Sequence, residues 1–208
     1  MSVNAVDADD SRVEWLMVTI STGGESSTLR VHAWRKLRSL GAHYLHNGVA
    51  IVPNLRDTAR AINRLVDRVN REGGQASSWT IQLAVVSQER VLIDRLNAER
   101  SDEYNEFCSR VPAFLDEIAH ERALGRTTYA EVEESEADLD RLRTWIKRIN
   151  DRDYFDAPGG SEAAEALARC VEEFELFESE SLQADVPVQP EIAVATDPRA
   201  LRIVEDGK

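Results

Sequence analysis

One dipeptide, Asn47-Gly48, constrains this chain more than any other feature. It separates two short apolar runs, Ala42 to His46 and Val49 to Pro53, and Asn-Gly supplies the positive backbone angles of a tight two-residue hairpin. Each run adjoins a helical pattern with its own punctuation. Leu29 to Leu40 stops at Gly41, while Leu55 to Glu72 follows Pro53-Asn54 and stops at Gly73-Gly74. Strand-like segments flank them, Val13 to Ile20 before and Trp79 to Val86 after. The order strand, helix, hairpin, helix, strand predicts an α+β chain with a ferredoxin-like βαββαβ domain over residues 12–86.

That domain is expected to need a cover. In the first strand Leu16, Val18 and Ile20 face one side and Trp15, Met17 and Thr19 the other, so both sides are largely apolar, as in a central strand. Trp79, Ile81, Leu83 and Val85 give the last strand the same character. A partner subunit or the following helices must then hide the sheet's second face.

A helical subdomain is expected over residues 87–182. Its first helix runs Ser87 to Ala98 and a second Asp102 to Leu124, interrupted or kinked near Pro112. Thr127 or Thr128 caps a third, reaching about Asn150, with Val132, Leu139, Leu142, Trp145, Ile146 and Ile149 on one stripe. Acids fill its first half and bases its second, as the helix dipole favours. After Gly159-Gly160, Ser161 caps a last helix that turns Ala163, Leu167, Cys170, Phe174 and Phe177 inward. Residues 1–11 are expected to be disordered and 183–208 to form a flexible tail.

Charge separates the two halves. The formal net charge is −13, yet residues 28–71 hold nine Lys/Arg against two Asp/Glu, a local +7. On the helix after the hairpin, Arg56, Arg60, Arg64, Arg68 and Arg71 fall within about 120° of one another, spanning roughly 22 Å of axis. Leu55, Ala59, Ile62, Leu65, Val66 and Val69 occupy the opposite face. The preceding helix adds Arg30, Arg35, Lys36 and Arg38. Guanidinium forks suit phosphate and other oxyanions, so these nine residues are the candidate nucleic-acid or oxyanion site, expected along one exposed edge. The competing reading is a solvated helix face, partly neutralised by Asp57 and Asp67 at helical spacing.

Other chemistry finds little footing. His43 and His46 lie three apart on a strand and point to opposite faces, which prevents a shared metal. Glu117-Ile118-Ala119-His120 is a lone Glu-x-x-His, short of the two copies and extra glutamates of a di-iron bundle. Cys108 and Cys170 form no CxxC pair. With no Gly-rich phosphate loop and no GxSxG, neither catalytic residues nor a cofactor are expected. No apolar run approaches the ~20 residues of a membrane span, and Met1 to Asp10 is unlike a signal peptide, so the expected location is cytoplasmic.

Leu29-Arg-Val-His-Ala-Trp-Arg-Lys-Leu-Arg-Ser-Leu-Gly-Ala-His-Tyr-Leu-His-Asn-Gly-Val-Ala-Ile-Val-Pro53 resembles the N-terminal domain of the ChrB family of chromate-resistance regulators. Thr128-Tyr-Ala-Glu-Val-Glu-Glu, Asp138-Leu-Asp-Arg-Leu-Arg-Thr-Trp145 and Arg152-Asp-Tyr-Phe-Asp-Ala-Pro158 extend the likeness, which covers about residues 13 to 180. The resemblance implies a cytoplasmic transcriptional regulator that controls chromate-efflux genes and responds to chromate; together with the arginine face, a homodimer with DNA as partner is expected, and chromate as a further ligand. Full-length family members carry an additional C-terminal domain, and the residues after 180 are too few to supply it. The alternative role is a non-catalytic interaction module that pairs with a separate sensor or chromate-resistance protein. The helix–hairpin pattern is also similar to the ferredoxin-like domain of the repressor PaaX and to the small nuclease of CRISPR adaptation. That nuclease ends its first strand on a metal-binding aspartate; here the strand reads Val18-Thr19-Ile20-Ser21-Thr22, so nuclease activity is not expected.

Overall fold

The computed structural model describes residues 12–23, 27–125 and 128–184. The predicted disorder of residues 1–11, the tail beyond residue 184 and the alternative cap Thr127 lie outside the described residues. The described residues form an α+β structure, mostly helical, with a four-stranded antiparallel sheet and five helices. In order these are β1 (Trp15–Ser21), α1 (Ser27–Ser39), β2 (His43–His46), β3 (Val49–Pro53), α2 (Arg56–Arg71), β4 (Gln75–Ile81), α3 (Val86–Leu124), α4 (Tyr129–Asn150) and α5 (Gly160–Ala184). Spatially the strands run β2-β3-β1-β4.

The hairpin forms at the predicted dipeptide, with His46 opposite Val49, but its geometry differs from expectation. Only Gly48 takes a positive φ, 78°, and Asn47 does not. The register slips by one residue between Tyr44 and His46, so a bulge at Leu45 supplies twist that a left-handed Asn47 would otherwise give. Gly48 is fixed for a second reason. A Cβ there would lie 2.5 Å from the Ile20 carbonyl oxygen, and the Ile20 N–H donates to the Gly48 oxygen at 2.7 Å.

The last strand also differs. It starts at Gln75, directly after Gly74, and ends at Ile81; Leu83 and Val85 lie beyond it. Pairing with β1 decides this, since Ser21 to Trp15 meet Gln75 to Ile81 residue for residue. β4 is an edge strand rather than a central one, which explains how it accommodates polar Gln75, Ser77 and Ser78.

Alternation in β1 builds two cores. Leu16, Val18 and Ile20 pack beneath α1 and α2 with Leu29, Ala33, Leu37, Ile62, Leu65 and Val69. Trp15 on the other face is fully buried with Ile51, Leu92 and Leu96, and partly buried Phe155 packs against them. Each such fully buried side chain contributes roughly 1.5–3 kcal/mol. The following helix is thus the cover the sheet needed, but it hides only one end. Leu45 and Trp79 remain 44% and 46% exposed. The indole N–H of Trp15 donates to Glu89 Oε1 at 3.0 Å, which pins β1 to the start of α3.

The two helices expected at Ser87–Ala98 and Asp102–Leu124 are a single 39-residue helix, α3. No glycine or proline breaks residues 99–101, and Arg100, only 5% exposed, sits within 3.5 Å of Glu99 and 3.4 Å of Glu103. Pro112 lies inside the helix, tolerated between buried Val111 and Phe114. α3, α4 and α5 share a separate core that includes Phe107, Ile118, Leu139, Ile149, Cys170 and Phe177. Thr128 caps α4, its side chain accepting from the Glu131 N–H. Ser161 does not cap α5, which begins one residue earlier, at Gly160. Gly159, at φ 100°, fills that role, its carbonyl accepting from Ala163 N–H at 3.0 Å.

Candidate nucleic-acid interface

α2 presents its arginines as its periodicity predicts. Ala61, Ile62, Leu65 and Val69 are buried against the sheet, while Arg56, Arg60, Arg64, Arg68 and Arg71 are all exposed on the outward side. The helix start is set locally. Thr58, buried, accepts the Leu55 N–H at 2.9 Å and donates to the Pro53 carbonyl at 2.6 Å, joining α2 to the end of β3.

Neutralisation of this strip is partial. Arg60 reaches Asp57 at 3.8 Å and Arg68 reaches Glu72 at 2.7 Å. Both pairs are exposed, the class worth ~0–1 kcal/mol, so a stronger acceptor can displace them. Asp67, expected to neutralise the strip, joins no ion pair among the described residues. Arg56, Arg64 and Arg71 likewise have no acidic partner among the described residues. These three are the readiest contacts for an external anion.

The basic residues of α1 do not extend that strip as one edge. Arg68 Nη1 lies 3.1 Å from His32, so His32, and Lys36 one turn on, mark the α2 side of α1. Arg30, Trp34 and Arg38 follow one another at four-residue spacing on the opposite side, facing the β2–β3 hairpin. Arg35 is exposed between the two sides. The sequence pattern could not show this split, because it depends on which flank of α1 meets α2.

Two neighbouring grooves result on the hairpin side. The larger, about 1050 Å³, is lined by Ile20, Thr22, Arg30, Trp34, Tyr44 and His46 among others. Arg30 Nε donates to Thr22 Oγ1 at 3.2 Å, and the Tyr44 hydroxyl donates to the Trp34 carbonyl at 3.4 Å. The smaller, about 460 Å³, holds Arg38, whose guanidinium stacks 5.3 Å from the Trp34 ring centre, with Arg100, Glu103 and Arg152 behind it.

Those last three residues join the sheet unit to the helical region. Arg152 meets Glu103 at 3.0 Å, and burial lowers its pKa against the pull of that carboxylate. Tyr154 donates to the Leu40 carbonyl at 2.7 Å, and burial pushes its hydroxyl up to about 12. Sequence reasoning missed this seam and the grooves. The R-x-x-x-W-R segment was visible, but nothing in it says that Trp34 stays 46% exposed.

Of the histidines, His43 faces Glu99 at 3.5 Å and His46 lines the larger groove. Glu117 and His120 are exposed on α3. No group of three or more His, Cys, Asp or Glu among the described residues is placed to hold a metal. Among the described residues, no helix is long and apolar enough to cross a membrane.

The family described as "Protein ChrB, N-terminal" matches residues 30–186, from α1 through the end of α5. Protein ChrB of Cupriavidus metallidurans is 32% identical over 96 residues, 45% of this chain and 28% of that protein. The match therefore spans less than a third of that relative's length. No solved structure matches.

Proposed function

The chain belongs to the ChrB N-terminal family, and from that premise we propose that it is a chromate-resistance protein acting as a DNA-binding regulator. One observation carries the DNA reading: five arginines are exposed along one face of α2, and three of them lack an acidic partner among the described residues. Their run of ~22 Å covers several phosphates, since duplex DNA carries one negative charge per ~1.7 Å of helix axis. The acidic helices do not oppose this, since charges beyond ~8 Å are largely screened at physiological salt.

The same reading includes a ferredoxin-like arrangement of residues 12–86, supported by the β2-β3-β1-β4 order, with 87–182 as a helical subdomain. It includes a homodimer and no catalytic role. The second sheet face leaves Leu45 and Trp79 exposed, apolar side chains that a second copy can bury. Chromate is a further candidate ligand of the basic side chains, and the cytoplasm is the expected location.

A second reading is a non-catalytic module that pairs with a separate sensor or chromate-resistance protein. The same exposed Leu45 and Trp79 favour it. Mobility shift with mixed-sequence duplex DNA separates the two. Four neutralised phosphates give a log–log salt slope of roughly −3.6, or roughly a hundredfold weaker binding at 200 than at 50 mM. Absence of salt-sensitive binding, together with co-purification of a partner from the native host, favours the module.

A further inference from the structure

The larger groove, between α1 and the β2–β3 hairpin, plays no part in the contacts assigned to α2. Its chemistry is distinctive for this chain. In a molecule of net charge −13, none of the eleven residues that line it among the described residues is an aspartate or glutamate. Its floor is apolar, from Ile20, Ala33 and Leu37. One wall is Trp34, 46% exposed although it sits beside buried Ala33 and one turn before buried Leu37. The opposite wall carries Tyr44 and His46, and the rim carries Arg30, steadied by Thr22.

Leaving a tryptophan half in water forgoes apolar burial, which makes an exposed one beside a roomy cavity informative. Arg38 stacks on Trp34 from the smaller groove and does not line the larger one, so the indole's larger-groove side is not occupied by that cation. The cavity thus combines a planar π surface, an apolar floor, hydrogen-bonding groups at Asn47 and His46, and a permanent cation at the rim. That set matches a flat heteroaromatic ring joined to an anion: stacking holds the ring regardless of its identity, and a guanidinium fork holds the phosphate.

We propose that this groove seats one unpaired nucleobase, its ring stacked on Trp34 and its phosphate paired with Arg30. The inference deepens the DNA reading but rests on different residues, so the two can fail separately. The base can come from a DNA strand or from a free nucleotide, which share this chemistry. His46 adds a ring nitrogen that can hydrogen-bond the base, beside Asn47 and Tyr44 in the same groove.

The test uses the full chain with three probes: dAMP, a 12-nucleotide single strand, and the matching duplex. Tryptophan fluorescence and anisotropy report binding. The single strand quenches fluorescence, and the quench survives Trp79→Phe but is lost in Trp34→Leu, which weakens the strand roughly 5- to 100-fold. Arg30→Gln weakens binding of the strand without abolishing the residual quench. Both positions are exposed, and thermal melts verify that each variant folds. Binding of dAMP alone supports the groove with a free nucleotide as its source. If neither dAMP nor the strand quenches, or if Trp34→Leu binds as the wild type does, the inference is overturned. The Arg56→Gln, Arg64→Gln, Arg71→Gln triple variant keeps the Trp34 quench while losing duplex affinity, so failure of the α2 reading is seen independently.

Discussion

At the scale of single residues, a few positions decide local geometry and the rest follow. Gly48 holds φ 78° and lies against the Ile20 carbonyl, so alanine there is strained in both backbone and space. Gly48→Ala is expected to lower stability by roughly 2 kcal/mol or more in urea unfolding, well beyond the ~1 kcal/mol of a positive φ alone. Glu89, 7% exposed, is the acceptor for the Trp15 indole. Glu89→Ala leaves that buried N–H unpartnered and is expected to cost ~1–3 kcal/mol in the same assay. The glycine could be identified in the sequence, because Asn-Gly between apolar runs has few other uses. The bulge at Leu45 could not, since it arises from fitting β2 to β3. Nor could Glu89, whose partner is 74 positions away.

Among the elements, α2 was legible in full: amphipathic period, Pro53-Asn54 entry and Gly73 exit all agree with the observed Arg56–Arg71. Where tertiary pairing sets the boundaries, local pattern misled. β4 follows its partner β1 instead of its own hydropathy, and α3 runs through a charged stretch because Glu99, Arg100 and Glu103 sit together at the seam. Pro112, exposed inside α3, removes one backbone bond, so Pro112→Ala is expected to raise stability by roughly 1–3 kcal/mol.

At the far end of α3, Arg122 clasps α5 through Glu173 at 3.0 Å and Glu180 at 2.6 Å. Hydrogen bonding from Arg122 holds the Glu180 carboxyl below its ordinary pKa. A carboxylate lowered on folding stabilises the protein above its unfolded value, about 4.3, and that contribution fades as pH falls through the folded value. Glu180→Gln is therefore expected to melt below the wild type at neutral pH. The gap begins to close as pH falls below the unfolded value and vanishes once it has passed the lowered folded value; a gap that persists unchanged at low pH contradicts the ion-pair origin.

For the whole molecule, a basic helix layer on one face of a sheet is carried by an acidic helical region. The candidate site was half legible: helical spacing found the α2 strip, but the division of α1 between two flanks needed three-dimensional packing. Charge placement also bears on assembly. Leu45 and Trp79 lie on the sheet face opposite α1 and α2, so a dimer through them leaves the arginines of both copies uncovered. Trp79→Glu is expected to shift a dimer toward monomer in sedimentation analysis while leaving the far-ultraviolet spectrum unchanged.

What binds there is decided most directly by the salt dependence of duplex affinity in the Arg56→Gln, Arg64→Gln, Arg71→Gln variant. Each lost phosphate contact removes about 0.9 from the log–log slope, so the account predicts a slope flatter than wild type by about 2.7. An identical slope and affinity in the two proteins contradicts it.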